Sequence, residues 1–344
     1  MRCLTLANTL RISGNEVTFI SRRLKGNLIE RIENGGFNVI KLSAAEVECP
    51  SGPPTHAAWA EISWQKDAAE TREIVNAIGP DWLIVDHYAF DYRWEQATKG
   101  AANRLMVIDD LADRSHDCDA LLDQNLGRQP EDYELLVPSI CKLLIGPEFA
   151  LLRPEFSNQR PNSLKRRENP KLRRLLINMG GIDKDNVTGR ILDALKKCSL
   201  PKALSIEVIL GKNAPHQETI IAESKLMPWP TEISIEVEDM ARRMARADLS
   251  IGAAGSSSWE RCCLGLPVIV LVLANNQKAI SNALIESGAA FAVDLSVALD
   301  EDLQRVVQRL QAPYVLKSMS GRASKISDGE GVNRILDILD KYES

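Results

Sequence analysis

The chain is poor in the residues that signal metal or redox chemistry. Its 344 residues include four histidines, none in HxxxH-like spacing, which argues against a zinc site. There are seven cysteines, an odd number, with no CxxC pair, a pattern that points to free thiols in a reducing cytoplasm rather than a disulfide framework. An excess of positive charge is also lacking. A net charge of −5 speaks against bulk electrostatic binding to nucleic acid. No run reaches the ~18 apolar residues of a membrane span. The longest apolar stretch, "LGLPVIVLVLA", is interrupted by Gly265 and Pro267 and reads as a buried strand. The N-terminus has no charged region leading into an apolar core and a small-residue cleavage site, so no secretory signal is expected. A GxxxxGK[ST] string is absent, which argues against a P-loop nucleotidase.

Helices and strands do alternate throughout. The length favours two cores over one. Met1 to Arg11 reads as a helix, with Leu4, Leu6, Ala7 and Leu10 on one face, and Asn15 to Ser21 as a strand. "DWLIVDHY" is nearly all apolar and is expected to be buried on both faces. The polar, basic stretch from Arg153 to Arg174 is expected to be a linker, its charges either solvated or offered to an acidic partner. The expected boundaries are therefore 1–158 and 170–344. The second half restarts the rhythm with "RRLLINMGG". Strands alternating with helices of this length imply an α/β fold with parallel sheets.

In such sheets ligands lie beyond the C-terminal strand ends. Four segments place unusual residues there. In "NMGGIDKDN", Gly180 and Gly181 lie between a strand and a helix, either as a phosphate approach or as a plain tight turn. In "IGAAGSSSWERCCLG", Gly255, Ser256 and Ser257 suit a diphosphate. Glu260 could accept two ribose hydroxyls, or simply complement the helix dipole. In "VDHYAFDY", Asp86, His87 and Tyr88 leave a strand end, and Asp91 suits a helix cap. In "VIDDLADRSHDCD", Asp109 and Asp110 are expected to fix a loop and meet Arg114, with a metal pair as the alternative. Because these segments fall in both halves, a ligand cleft between two domains is expected.

Together, "VDHYAFDYRWE", "VIDDLADRSHDCDALLDQNL", "LLIGPEFALLRPEF", "INMGGIDKDN" and "ARADLSIGAAGSSSWERCCLGLPVIVLVLANNQ" resemble the UDP-2,4-diacetamido-2,4,6-trideoxy-β-L-altropyranose hydrolases of pseudaminic acid biosynthesis. The second half also resembles the peptidoglycan N-acetylglucosamine transferases. The resemblance implies two Rossmann-like domains facing a cleft (the GT-B architecture). It implies a cytoplasmic, monomeric enzyme with no cofactor or metal, no nucleic-acid partner and no membrane contact. Such an enzyme would release UDP and the free sugar, with inversion at the anomeric carbon. Carried over by position, Gly180, Gly181 and Ile182 line the nucleotide site, Gly255, Ser256 and Ser257 hold the diphosphate, and Glu260 holds the ribose. Tyr88 and Asn276 face the sugar, with Asp86 and Gln277 also among the substrate-binding positions. The family begins with a strand and a GxGH loop whose histidine is taken as the base, and "MRCLTLA" matches the family's segment just after that loop. The expectation is thus a first domain without its first strand, for which three accounts stand: a recorded start that lies too late, a decayed gene, or His87 or His116 taking over as base. Two alternatives stay open: a UDP-sugar glycosyltransferase, and a UDP-sugar-binding chain without turnover.

Overall fold

A computed structural model describes residues 1–44, 50–272, 277–295 and 299–341. The chain divides into two compact units, residues 1–151 with 331–344, and residues 152–330.

The first unit runs α1 (Arg2–Ile12), β1 (Thr18–Arg22), α2 (Ile29–Asn34), β2 (Asn38–Leu42), α3 (Trp64–Ile78), β3 (Trp82–Val85), α4 (Tyr92–Thr98), β4 (Arg104–Ile108), β5 (Ala120–Asp123) and β6 (Lys142–Ile145). Its strands form two parallel sheets among the described residues, β1-β2 and β3-β4-β5-β6. Among the described residues no strand bridges this break. One helix serves both pieces. Leu6, Cys3 and Leu10 of α1 pack with Met106, Ile108 and Leu122, while Ala7 and Leu4 pack with Ile32, Phe37 and Phe19.

The break corrects one expectation. β3 is an edge strand, and Trp82, Leu83 and Ile84 are only half-buried. The doubly covered strands are β4 and β5. An apolar run reports a preference for burial and does not say whether a neighbour is there to provide it.

The second unit runs α5 (Pro154–Arg166), β7 (Arg174–Asn178), α6 (Val187–Lys196), β8 (Ser205–Leu210), α7 (Gln217–Ser224), β9 (Thr231–Ile235), α8 (Met240–Arg246), β10 (Leu249–Ala253), α9 (Ser257–Cys263), β11 (Val268–Leu271), α10 (Gln277–Glu286), β12 (Ala290–Ala292), α11 (Leu299–Leu310) and α12 (Pro313–Ala323). The sheet order is β12-β11-β10-β7-β8-β9, all parallel. The chain leaves β7 outward to β8 and β9, then returns to β10 on the other side. The order therefore reverses between β7 and β10. Apolar stripes at helical spacing cover the sheet: Val187, Ile191, Leu192 and Leu195 on α6, and Leu299, Leu303, Val306, Val307 and Leu310 on α11.

The expected linker is α5. Pro154 opens it at a position where proline lacks only an N–H that a helix leaves unpaired. Its closing arginines are engaged within the unit rather than offered to an acidic partner. Arg167 is buried and donates to the carbonyls of Leu264, Ala247 and Met244, at 3.0, 2.8 and 3.1 Å. Arg166 pairs with Asp248 at 2.6 Å. These carbonyls close α8 and α9, where cations are favoured.

The last helix, α13 (Gly331–Lys341), returns to the first unit. Val332, Ile335, Leu336 and Leu339 pack with Leu6, Met106 and Leu144. The expected boundary of 170–344 thus gives way to a second unit that ends at Glu330.

Candidate functional site

β7 and β10 are parallel neighbours with Asn178 opposite Gly252, so their C-terminal ends lie side by side. Two glycine loops leave from there. Gly180 has φ +97°, and a Cβ at Gly180, Gly181 or Gly255 would meet nothing within 4 Å. Backbone is therefore open to approach at all three positions. The loop after β7 is shaped by a further glycine that lies outside the predicted site segments. A Cβ on Gly211, just after β8, would run into the backbone of Gly181. A glycine directly following the apolar run of β8 was the available signal.

The donors at the start of α6 are already used. Asp183 accepts from the Val187 and Thr188 N–H groups at 2.8 and 2.9 Å. Asn186 caps the helix by accepting from Gly189 at 3.2 Å. The free N–H groups expected for a phosphate there are thus occupied, and what remains is the glycine backbone before them. Ile182 is 62% exposed beside it.

On the β10 side, Ser256 precedes α9 and is exposed, and its hydroxyl caps no helix N–H. Ser257 is half-buried. The Glu260 side chain makes no hydrogen bond or ion pair with another described residue. Burial raises its pKa above the usual carboxylate value, with Arg153 and Arg261 pulling the other way. A half-buried carboxylate without a partner is an unusual expense in a folded chain unless something else supplies donors. Gln277 opens α10. Asn276 lies outside the described residues.

In the first unit the candidates form a different constellation, one that local sequence does not foretell. Arg2 of α1 pairs with Asp86 at 2.7 Å and with Asp110 at 3.0 Å. The Cys3 thiol donates to Asp86 at 3.0 Å. Tyr88 donates its hydroxyl to Asp110 at 2.6 Å. Burial opposes ionisation of Asp86, yet Arg2 and Cys3 hold its carboxyl below the ordinary value. Burial, with Asp110 next, pushes the Tyr88 phenol up, so it stays protonated. Asp109 accepts from Arg114 at 2.7 Å, as expected, and from Tyr133 at 2.8 Å. Asp91 caps α4 by accepting from the Arg93 N–H at 3.0 Å.

The histidines are now distinguishable. His87 Nδ1 accepts from the Ala89 N–H at 3.1 Å, and burial lowers its pKa. The neutral ring then carries its proton on Nε2, leaving no lone pair for water. His116 is buried, with Nδ1 at 2.6 Å from Glu95. His56 differs from both. Its ring lies 4.5 Å from that of Trp59 and 5.8 Å from that of Tyr88, and its nitrogens make no hydrogen bond to a described residue. Nothing in the local sequence around "PPTHAAW" marks it, because its neighbour Tyr88 is far along the chain.

Residues 185–334 match the Glycosyltransferase family 28 C-terminal domain. The chain is 30% identical over 174 residues to the spore coat polysaccharide biosynthesis protein SpsG of Bacillus subtilis, covering 50% of this chain and 51% of SpsG. It therefore spans about half the length of that relative. It is 26% identical over 219 residues to the UDP-2,4-diacetamido-2,4,6-trideoxy-beta-L-altropyranose hydrolase of Campylobacter jejuni, covering 63% of this chain and 76% of that one. Among solved structures it is similar to MurG of Acinetobacter baumannii, with a TM-score of 0.72 at 17% identity over 99% of this chain and 95% of that one. The fold is of the GT-B type, with two Rossmann-like domains.

Proposed function

We propose that the chain binds a UDP-linked sugar through its second unit and hydrolyses it. The substrate is a UDP-linked 2,4-diacetamido-2,4,6-trideoxy hexose of the pseudaminic acid type. The observation that carries this is the pair of glycine loops at the reversal point of the second sheet, with Glu260, which pairs with no described residue, beside them. Open α/β sheets bind nucleotides at that point. The diphosphate lies against Gly180, Gly181, Gly255, Ser256 and Ser257, and Glu260 accepts the ribose hydroxyls. The similarity to the Campylobacter hydrolase supports the choice of sugar.

In the reaction, water attacks the anomeric carbon as the bond from that carbon to the diphosphate oxygen breaks. UDP departs with the bonding pair, and donors around the diphosphate stabilise the charge it gains. The proton lost by water needs an acceptor. We assign it to His56, whose nitrogens make no hydrogen bond to a described residue and whose ring lies beside that of Tyr88. Tyr88, whose hydroxyl is fixed by Asp110, keeps the sugar-facing role that the resemblance implies for it.

The test is a UDP-release assay paired with calorimetry on one preparation. Turnover without acceptor is expected, and His56→Gln should lose it while keeping UDP affinity. Release that requires an acceptor would replace hydrolysis with transfer, the reading favoured by the match to the family 28 C-terminal domain. Binding without turnover would leave a nucleotide-sugar-binding chain.

A further inference from the structure

Arg261 is the largest fully buried side chain of the described residues, and it lies where the two glycine loops begin. Its Nη2 donates to the Ala253 carbonyl at 2.6 Å and to the Ser257 and Ser258 hydroxyls at 3.2 and 3.3 Å. Its Nη1 lies against Gly252. A Cβ there would collide with that nitrogen and come within 2.6 Å of the Asn178 carbonyl. The glycine thus makes room for the guanidinium at the ends of β10 and β7 together. Its Nε is buried with no hydrogen-bond partner. No carboxylate pairs with it among the described residues. Burial lowers its pKa to about 10, which leaves it charged at neutral pH.

A buried cation without a counter-ion is costly, and folded chains normally pair it. Two other buried arginines here obey that rule. Arg22 meets Asp67 at 2.7 Å, and Arg114 meets Asp109 at 2.7 Å. Arg167, which reads three carbonyls, has Arg166 and Asp248 adjacent to it. Arg261 feels Glu260, its neighbour in the chain, but its hydrogen-bond acceptors among the described residues are all neutral, and all belong to the loop and helix start that would carry the diphosphate.

We propose that Arg261 is a positioning residue whose guanidinium, hydrogen-bonded to neutral groups alone, is matched by the diphosphate of the ligand. It draws Ala253, Ser257 and Ser258 into place from beneath, and its charge favours an anion on the open side of Gly180 and Gly255. This rests on the reading of the second unit as a nucleotide site. It adds to that reading the residue that makes the site select for phosphate over nucleoside.

Calorimetry on the full chain with UDP, uridine and inorganic pyrophosphate tests it. Arg261→Met should weaken UDP and pyrophosphate by about 30-fold and leave uridine within about twofold. Arg261→Lys should restore part of the loss. Gly252→Ala keeps the charge but displaces the guanidinium, and should give the same phosphate-selective loss if Arg261→Met fails to fold. Equal losses for UDP and uridine, or no loss, would overturn the proposal and leave the nucleotide site standing. Arg261-dependent pyrophosphate binding without uridine or UDP binding would sink the nucleotide reading and keep the anion site. Failure of all three probes on the unaltered chain overturns both.

Discussion

Glu260 and Asp109 show two ways in which a carboxylate can be placed. Glu260 has no hydrogen-bond or ion-pair partner among the described residues, and burial raises its pKa. Ionised, it can accept two ribose hydroxyls, whereas protonated it gives up part of that capacity. UDP affinity should therefore fall as pH is lowered through a range above the ordinary glutamate value of about 4.3. Glu260→Gln should weaken UDP about tenfold, by roughly the worth of one charged hydrogen bond, and flatten that pH dependence in a titration series. Asp109 is the opposite case. Burial disfavours its charge, but Arg114, the Ala112 N–H, His116 and Tyr133 outweigh burial and hold its pKa below the ordinary value. A depressed carboxyl contributes stability above its unfolded pKa, lost as pH falls through the folded one. The first unit should thus lose stability as pH drops below about 4, and Asp109→Asn should remove part of that slope in acid-denaturation curves. Both residues were visible in the sequence by position. Arg114 was legible as a partner of Asp109, but Tyr133 was not, because it reaches Asp109 from a separate segment, and Glu260 is defined by what fails to reach it.

At the scale of elements, local rules succeeded where the signal is local. Asp91 and Asn186 cap their helices as their residue types suggest. The rules failed for α5. Proline, asparagine and clustered basic residues suggested a hinge, yet Arg160, Arg166 and Arg167 all find partners in the second unit. Composition describes a segment's own preferences, and these side chains are engaged by groups some 80 residues away or more. Trypsin should accordingly spare the native chain between Pro154 and Arg167, whereas a hinge would be cut there first. Arg167→Met should destabilise the second unit by about 3 kcal/mol, because three buried carbonyls lose their donor, and urea unfolding followed by circular dichroism will measure it.

At the scale of the whole molecule, the C-terminal helix closes the first unit. Ile335 is fully buried against residues that begin at Leu6. Ile335→Ala should cost about 2–5 kcal/mol. In calorimetry the loss should appear in the transition of the unit made of residues 1–151 and 331–344, with the other transition unchanged.

The alternation of helix and strand, the parallel sense of the sheets and the glycine loops at strand ends all came from periodicity and turn chemistry, which neighbouring residues carry between them. The edge position of β3, the membership of α13, the engagement of the basic α5 and the unpaired charge of Arg261 did not. Each is set by contacts between segments distant along the chain, and a pattern of preferences cannot say which of them meet. The glycine-rich turn of "IGAAGSSSWERCCLG" was legible as a ligand loop. That a charged side chain supports it from below became visible only when Gly252, Asn178 and Arg261 met in space.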